Sequence, residues 1–120
     1  MYEEITKKIK ITVKPEFLDE HSDPEEKRFI WAYHVKIENF GEDTVKLISR
    51  SWTISDSMGR VQEVRGSGVV GENPILKPGS SFEYTSGTPL NTPSGFMMGT
   101  YKMKKKNGSD IFFFFPVFLF

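Results

Sequence analysis

The 120-residue sequence predicts an all-β protein, and three observations support this prediction. Apolar and polar residues alternate with a period of two over most of the chain, as in strands with one buried face. Glycine, proline, asparagine and aspartate interrupt the alternation at short intervals, as turns between strands do. No segment repeats apolar residues at the three-and-four spacing of an amphipathic helix over three turns. Seven or eight short strands are therefore expected, in a β-sandwich or, alternatively, a β-barrel.

The opening segment predicts one half-buried strand followed by a polar loop. Ile5–Val13 alternates between apolar and polar residues, with Lys7 as the one exception. Pro15 cannot donate a backbone hydrogen bond, so we expect the strand to end there. The acidic stretch 19–26 then reads as a solvent-exposed loop.

The middle of the chain predicts a long strand, an irregular strand and a hairpin. Phe29–Ile37 places its large apolar residues on one face, and turn residues follow at 39–43. The apolar parity of 44–55 changes midway, which indicates a β-bulge. The tight turn 56–59 then leads into a short partner strand at 60–65.

The last third predicts three strands, of which the final two form a hairpin. Phe82, Tyr84 and Ser86 share one face of the first of these strands. The strands 96–105 and 109–120 flank Asn107-Gly108, which is the strongest short hairpin signal in the sequence.

Composition and charge narrow the classes of function. Sixteen basic and sixteen acidic residues cancel, which argues against a surface-wide positive field that attracts nucleic acid or anionic membranes. The chain has no cysteine, so disulfide and thiolate chemistry are excluded. Residues 1–10 lack the apolar centre of a secretion signal, and the apolar run 111–120 is too short for a membrane helix. We expect one soluble, cytoplasmic domain spanning 1–120, without a cofactor, nucleic-acid partner or membrane span.

Three long motifs carry a resemblance to a known family. They are RSWTISD at 50–56 with Gly59, GSGVVGENPILKPG at 66–79 continuing as FEYTSG at 82–87, and LNTPSGFMMGTYKM at 90–103. Together they resemble the ApaG family over nearly the whole chain. The resemblance implies an immunoglobulin-like or fibronectin-type-III-like β-sandwich and an association with cobalt and magnesium tolerance. The chain departs from the family pattern at Glu72 and Asn73, where glutamine is frequent, and in its Phe-rich end.

The glycines of 66–71 form the pattern GxGxxG, which binds pyrophosphate in dinucleotide folds when a helix follows. Pro74 and Pro78 prevent such a helix here, so a Rossmann-type site is excluded. Two interpretations remain: the glycines serve only a chain crossing, or their N–H groups and flanking basic residues bind a phosphate group. The candidate anion-binding residues are Arg65, Gly66, Gly68, Gly71 and Lys77.

Metal binding and catalysis receive little support. The acidic loop 19–26 with His21 has oxygen and nitrogen donors suited to Mg²⁺ or Co²⁺, but it has no metal-binding spacing, so we predict no metal ligand. His21 and His34 are the only side chains that act as bases near neutral pH without a large pKa shift, and neither lies in a nucleophile motif. We therefore predict no catalytic residue and a non-enzymatic protein.

The C-terminal hairpin has more large apolar residues than one buried face needs. A two-residue turn at Asn107-Gly108 puts Phe112 and Phe114 on the core face. The outer face then carries Ile111, Phe113 and Phe115, which another part of this chain or a partner surface should cover. A turn shifted by one residue would exchange the two faces.

These features favour a binding domain that recognises a protein partner, or a second copy of itself, through an exposed strand or loop face. The alternative is a sensor that holds a phosphate-bearing nucleotide at the glycine loop.

Overall fold

The computed structural model describes residues 2–120, so Met1, the first residue of the segment searched for a secretion signal, lies outside the described part. The strands are β1 (Tyr2–Thr6), β2 (Ile9–Phe17), β3 (Phe29–Asn39), β4 (Val45–Asp56), β5 (Val61–Ser67), β6 (Ile75–Leu76), β7 (Ser81–Leu90), β8 (Gly95–Lys105) and β9 (Asp110–Leu119). Two single-turn 3-10 helices, Asp19–His21 and Pro24–Glu26, lie in the predicted polar loop. In the described chain, neither has the length or hydropathy needed to cross a membrane.

The strands form two antiparallel sheets packed face to face, which confirms the predicted β-sandwich. One sheet has the order β1-β2-β3-β7, and the other has the order β5-β4-β8-β9, with the short β6 pairing on β4. Residues 2–120 form nine strands, because the opening segment forms two strands and β6 adds a short one.

The prediction of one opening strand was wrong, because the chain reverses at Lys7 and Lys8. Both residues have positive φ (47° and 66°), and Thr6 pairs with Ile9, which is the geometry of a tight two-residue hairpin turn. The same period of two continues through the turn, so the sequence pattern does not reveal the reversal.

The expected strand end at Pro15 was also wrong, because β2 continues to Phe17. Pro15 pairs with Tyr33 of β3 and lies beyond Val13, the last β2 residue that the described part of β1 reaches. At this position β2 has a neighbour on one side, where a proline is tolerated.

Two middle-chain predictions are confirmed. The register of β4 against β8 shifts between Leu47 and Ser49, which is the expected bulge. In β3, Tyr33, Val35 and Ile37 are buried on the predicted apolar face.

The buried residues of both sheets form one continuous hydrophobic cluster rich in aromatic rings. Trp52 of β4 belongs to this cluster, with ring centroids 4.4 Å from Phe115 and 5.2 Å from Tyr101. Phe118 contacts Phe115 and extends the aromatic contacts toward the end of β9. Such tilted and edge-to-face pairs add stability beyond their buried area.

The β8–β9 turn is one residue longer than predicted. The Gly108 N–H donates to the Lys105 carbonyl, the Lys105 N–H donates to the Ser109 carbonyl, and Gly108 has a φ of +85°. This geometry is a three-residue hairpin loop with glycine in the left-handed position. Tyr101 therefore pairs with Phe113, whereas a two-residue turn would pair it with Phe114.

The longer loop exchanges the two faces of β9, as a one-residue shift must. The predicted interface residues are therefore wrong as exposed residues, because all three lie in the core: Ile111, Phe113 and Phe115. Phe112 and Phe114 occupy the outer face instead. The surplus apolar face predicted from the sequence thus exists, on the alternate residues.

Candidate functional site

The outer face of β9 carries four large apolar side chains in a row. Phe112, Phe114, Val117 and Leu119 are 58%, 59%, 58% and 60% exposed. Isolated exposed apolar residues are ordinary, but a contiguous strip along one strand is typical of an interaction surface. We call these four residues the β9 strip.

A second bulge produces the strip. The register of β8 against β9 shifts between Met97 and Gly99, opposite Pro116 and Val117 of β9. Before the bulge the even-numbered residues face outward, and after it the odd-numbered residues do, so Phe118 turns into the core. Without the bulge, Phe118 would point outward and Val117 would be buried.

The strip lies at the edge of its sheet beside a band of lysines. On β8, the Lys102 and Lys104 amines lie 3.6 and 3.4 Å from the Asp110 carboxylate. Lys46 of β4 pairs in register with Lys104, and Lys106 lies in the β8–β9 loop. Lys46 and Lys106 form no ion pair with the described residues.

The predicted anion-binding glycine loop is a tight turn whose amides are mostly occupied. The Gly68, Val69 and Glu72 N–H groups donate to protein carbonyls, the last two across the turn. Gly68 has a φ of +63°, and a Cβ there would lie 2.2 Å from the Glu72 carbonyl oxygen. No helix follows Gly71, as predicted. The geometry supports the turn interpretation of these glycines more than a nest of free N–H donors.

The two basic residues predicted to flank this loop are not among the residues that line the cavity beside it. Arg65 pairs with Ser51 and is exposed on the outer side of its sheet, and Lys77 is exposed after β6. A cavity of about 220 Å³ beside the loop is instead lined by Arg50, a residue the sequence reasoning did not select. Arg50 shares the parity of Trp52 in β4, and this parity was the available signal.

Two tyrosine hydroxyls near this cavity join the two sheets. Tyr84 of β7 and Tyr101 of β8 share a buried hydrogen bond. Burial raises the pKa of both phenols well above 10, and it also raises the pKa of Tyr33, although a hydrogen bond with Ser86 and the Arg50 charge oppose this increase. All three phenols are therefore neutral near pH 7.

A surface chain of hydrogen bonds was also missed. The His34 ring nitrogens lie 2.8 Å from the Thr85 hydroxyl and 2.7 Å from the Glu16 carboxylate. The three groups stand on the open outer face of the first sheet and are partly exposed. The acidic loop, in contrast, directs its side chains to solvent, and no three potential metal ligands converge within residues 2–120.

Comparison with known proteins places the chain in a family. The family model described as ApaG domain matches residues 19–105. A protein named ApaG from Rhodospirillum centenum is 62% identical over 90% of this chain and 83% of its own length. A second ApaG, from Paramagnetospirillum magneticum, is 54% identical over 98% of this chain and 91% of its own length.

The chain belongs to the ApaG family. A crystal structure of a putative ApaA protein from Bordetella pertussis is 47% identical and superimposes with a TM-score of 0.90 over 92% of this chain and 90% of that chain. The part matched by the ApaG model contains the glycine loop and Arg50 but ends before β9. The cavity beside the glycine loop therefore lies within the part matched by the family model, whereas the β9 strip lies outside it.

Proposed function

We propose that this ApaG-family chain is a non-catalytic protein-interaction domain that binds its partner through the outer face of β9. The observation that carries the proposal is the exposed strip of Phe112, Phe114, Val117 and Leu119. Burying apolar surface contributes roughly 25 cal/mol per Å², so covering this strip supplies a driving force for association. Phenylalanine and the other aromatic residues are also enriched at protein interfaces relative to the rest of the surface.

The charges around the strip define the partner's chemistry. Lys46, Lys104 and Lys106 lie along one end of it, and Asp110 is the acidic residue beside them. A partner surface that pairs apolar side chains with a cluster of carboxylates complements this arrangement. Such complementary charges accelerate encounter and fix orientation more than they raise affinity.

The absence of catalysis is part of the proposal. The Thr85–His34–Glu16 chain resembles the order of a nucleophile, base and orienting acid, but it lies on the open outer face of the first sheet. His34 belongs to β3, which pairs with a strand on each side. The backbone N–H groups of β3 therefore donate to the neighbouring strands and are not directed at a substrate. The cobalt and magnesium tolerance implied by the family resemblance would then act through the partner.

A photo-crosslinking experiment in the native host tests the proposal. p-Benzoylphenylalanine replaces Phe114 in the strip, and Phe40 in a separate matched variant. Phe40 is a suitable control because it is 61% exposed but lies in the turn after β3. We expect discrete protein adducts from position 114 that are absent or much weaker from position 40.

The adduct masses separate the two kinds of protein partner. An adduct of twice the chain mass identifies a second copy of this protein, and any other discrete mass identifies a different protein. The further substitution Phe112→Asp, in the variant that carries p-benzoylphenylalanine at position 114, should remove the adduct while leaving thermal unfolding nearly unchanged. Equal labelling from positions 114 and 40, or no adduct from 114, overturns the proposal.

A further inference from the structure

The cavity beside the glycine loop contains an arginine without an acidic partner. Arg50 is half-buried and points between the sheets, on the same side of β4 as Trp52. Its Nη1 donates to the carbonyl oxygens of Ser67 and Gly68, at 3.2 and 2.7 Å. Within residues 2–120, no carboxylate forms an ion pair with it, and Nε and Nη2 have no protein acceptor. Charged groups removed from water are usually paired, so a half-buried guanidinium with two unpaired nitrogens is available to an anionic ligand.

The surrounding backbone holds the guanidinium in a defined position. A Cβ on Gly66, the β5 residue paired with Arg50, would lie 3.1 Å from Nη1 and 3.3 Å from the central carbon. Glycine at 66 therefore gives the flat group room against the strand, while the two carbonyls fix one edge of it. The opposite edge keeps its N–H donors available to the cavity, so the group is preorganised for a ligand.

The remaining lining suits an oxyanion. Tyr33, Ser86 and Ser67 bring hydroxyl groups to the cavity, and Trp52 and Tyr84 form aromatic walls. Tyr33 and Ser86 are directly paired across β3 and β7. The lining includes no Asp or Glu, so its only formal charge is positive. Guanidinium groups bind carboxylates and phosphates through two parallel hydrogen bonds, and neutral hydroxyls add further donors.

We propose that this cavity binds the oxyanion group, phosphate or carboxylate, of a small molecule, with Arg50 as the anchor and the Tyr33 and Ser86 hydroxyls as additional donors. A volume of about 220 Å³ accommodates a compact group and not a whole nucleotide. The glycine loop frames this site by positioning Arg50, and the Gly68, Val69 and Glu72 amides of the loop donate to protein carbonyls rather than to a ligand. The site does not involve β9, so the proposal is independent of the protein-interaction surface.

The test is an NMR titration that observes the Arg50 Nε–H and the Gly71 amide. The probes are inorganic phosphate, pyrophosphate, acetate and succinate, each against chloride at matched ionic strength. We expect saturable shifts at both positions with at least one probe. Whichever series binds more tightly, the phosphates or the carboxylates, identifies the kind of oxyanion that the natural ligand carries.

Two variants of Arg50 and one matched control assign the site. Arg50→Lys retains the charge but loses the two parallel N–H donors of the guanidinium, and should weaken binding at least tenfold. Arg50→Met should abolish it, while Arg65→Met, at an exposed arginine on the other side of the neighbouring strand, should bind as the wild type does. No saturable shift of Arg50 in the folded wild type overturns the proposal, whether or not the variants fold. Equal losses in Arg65→Met and Arg50→Met also overturn it.

Discussion

The polar groups inside this sandwich differ in how their hydrogen bonds are satisfied. Tyr84 and Tyr101 satisfy each other across the two sheets, and Arg50 is satisfied along one edge only. The Trp31 Nε1 is buried without a hydrogen-bond partner in the described part of the chain. A buried donor or acceptor that lacks a partner costs more free energy than one formed hydrogen bond contributes. The tyrosine pair, Arg50 and Trp31 should therefore respond differently to substitution.

The tyrosine pair should make the protein sensitive to alkaline pH. Burial raises the folded-state pKa of both phenols above their unfolded value near 10, so the folded state retains protons that the unfolded state releases. The contribution of these two phenols to the free energy of unfolding should be constant below pH 10. Above pH 10 it should fall, by up to about 1.4 kcal/mol per pH unit for each phenol. Urea denaturation at pH 8 to 11 measures this fall.

The double variant Tyr84→Phe/Tyr101→Phe is the comparison for the alkaline experiment. It should lose less stability between pH 10 and 11 than the wild type does. At pH 7 each single variant leaves one buried hydroxyl unpaired, at a cost of about 1–3 kcal/mol, and the double variant should cost less than the two single variants together. Superimposable alkaline profiles for the wild type and the double variant would contradict this assignment.

The two tryptophans should respond differently to replacement by phenylalanine. Trp31→Phe removes an unsatisfied donor while keeping a ring beside Phe17 and Phe120, so we expect a change within about 1 kcal/mol. Trp52→Phe removes buried ring atoms that contact Tyr101 and Phe115 and should destabilise by about 2–3 kcal/mol. Urea midpoints at pH 7 provide the comparison, and a larger loss for Trp31→Phe would refute the argument.

At the scale of elements, two turns determine which residues of the terminal strands face the core. The β1–β2 turn places two lysines in the left-handed region, and the β8–β9 turn uses glycine there. The first turn is therefore strained, whereas the second is relaxed.

Relieving the first turn should stabilise the fold. Lys8→Gly places a glycine where φ is +66°, and we expect the free energy of unfolding to rise by about 0.5–1 kcal/mol. The matched control is Lys10→Gly, inside β2, which should lower it by a similar amount because glycine weakens a strand interior. Thermal denaturation of the three proteins tests this, and destabilisation by both substitutions would disprove the left-handed turn.

The register of β9 has an equally direct test. Phe113 is 1% exposed, so Phe113→Asp should prevent folding or cost more than about 4 kcal/mol. Phe112→Asp, one residue earlier on the outer face, should change stability by about 1 kcal/mol or less. Circular dichroism and urea unfolding separate the two variants, and the reverse order would restore the two-residue turn predicted from the sequence.

At the scale of the whole molecule, the protein is an elongated sandwich of 51 × 23 × 22 Å. Its radius of gyration, 15.1 Å, exceeds the roughly 13.6 Å expected for a compact chain of this length. Long strands account for the difference, and the hydrophobic cluster nevertheless joins both sheets. The two sheets should therefore unfold together.

Folding should be cooperative and slow for a chain of this size. Strands far apart in sequence pair in both sheets, as β3 does with β7 and β4 with β8, and such non-local pairing gives refolding times of milliseconds to seconds. Urea unfolding curves from tryptophan fluorescence and from far-ultraviolet circular dichroism should coincide. Two separate transitions would show that the sheets are independent units.

The sequence by itself determined the class of fold, the parity of β3, the bulge in β4 and the existence of a surplus apolar face on the last strand. These properties depend on local alternation and on turn residues, which act over a few positions. The family resemblance, also carried by the sequence, led to the same sandwich.

Tertiary structure alone decided which residues occupy the β9 strip and which cation lines the cavity. A loop of two or three residues at Asn107-Gly108 fits the same letters, yet one residue exchanges the faces of β9. Arg50 looked like an ordinary polar residue in an apolar strand, because only the packing of β5 and β7 around it encloses a cavity there. Such facts depend on contacts between distant segments, which local sequence patterns do not encode.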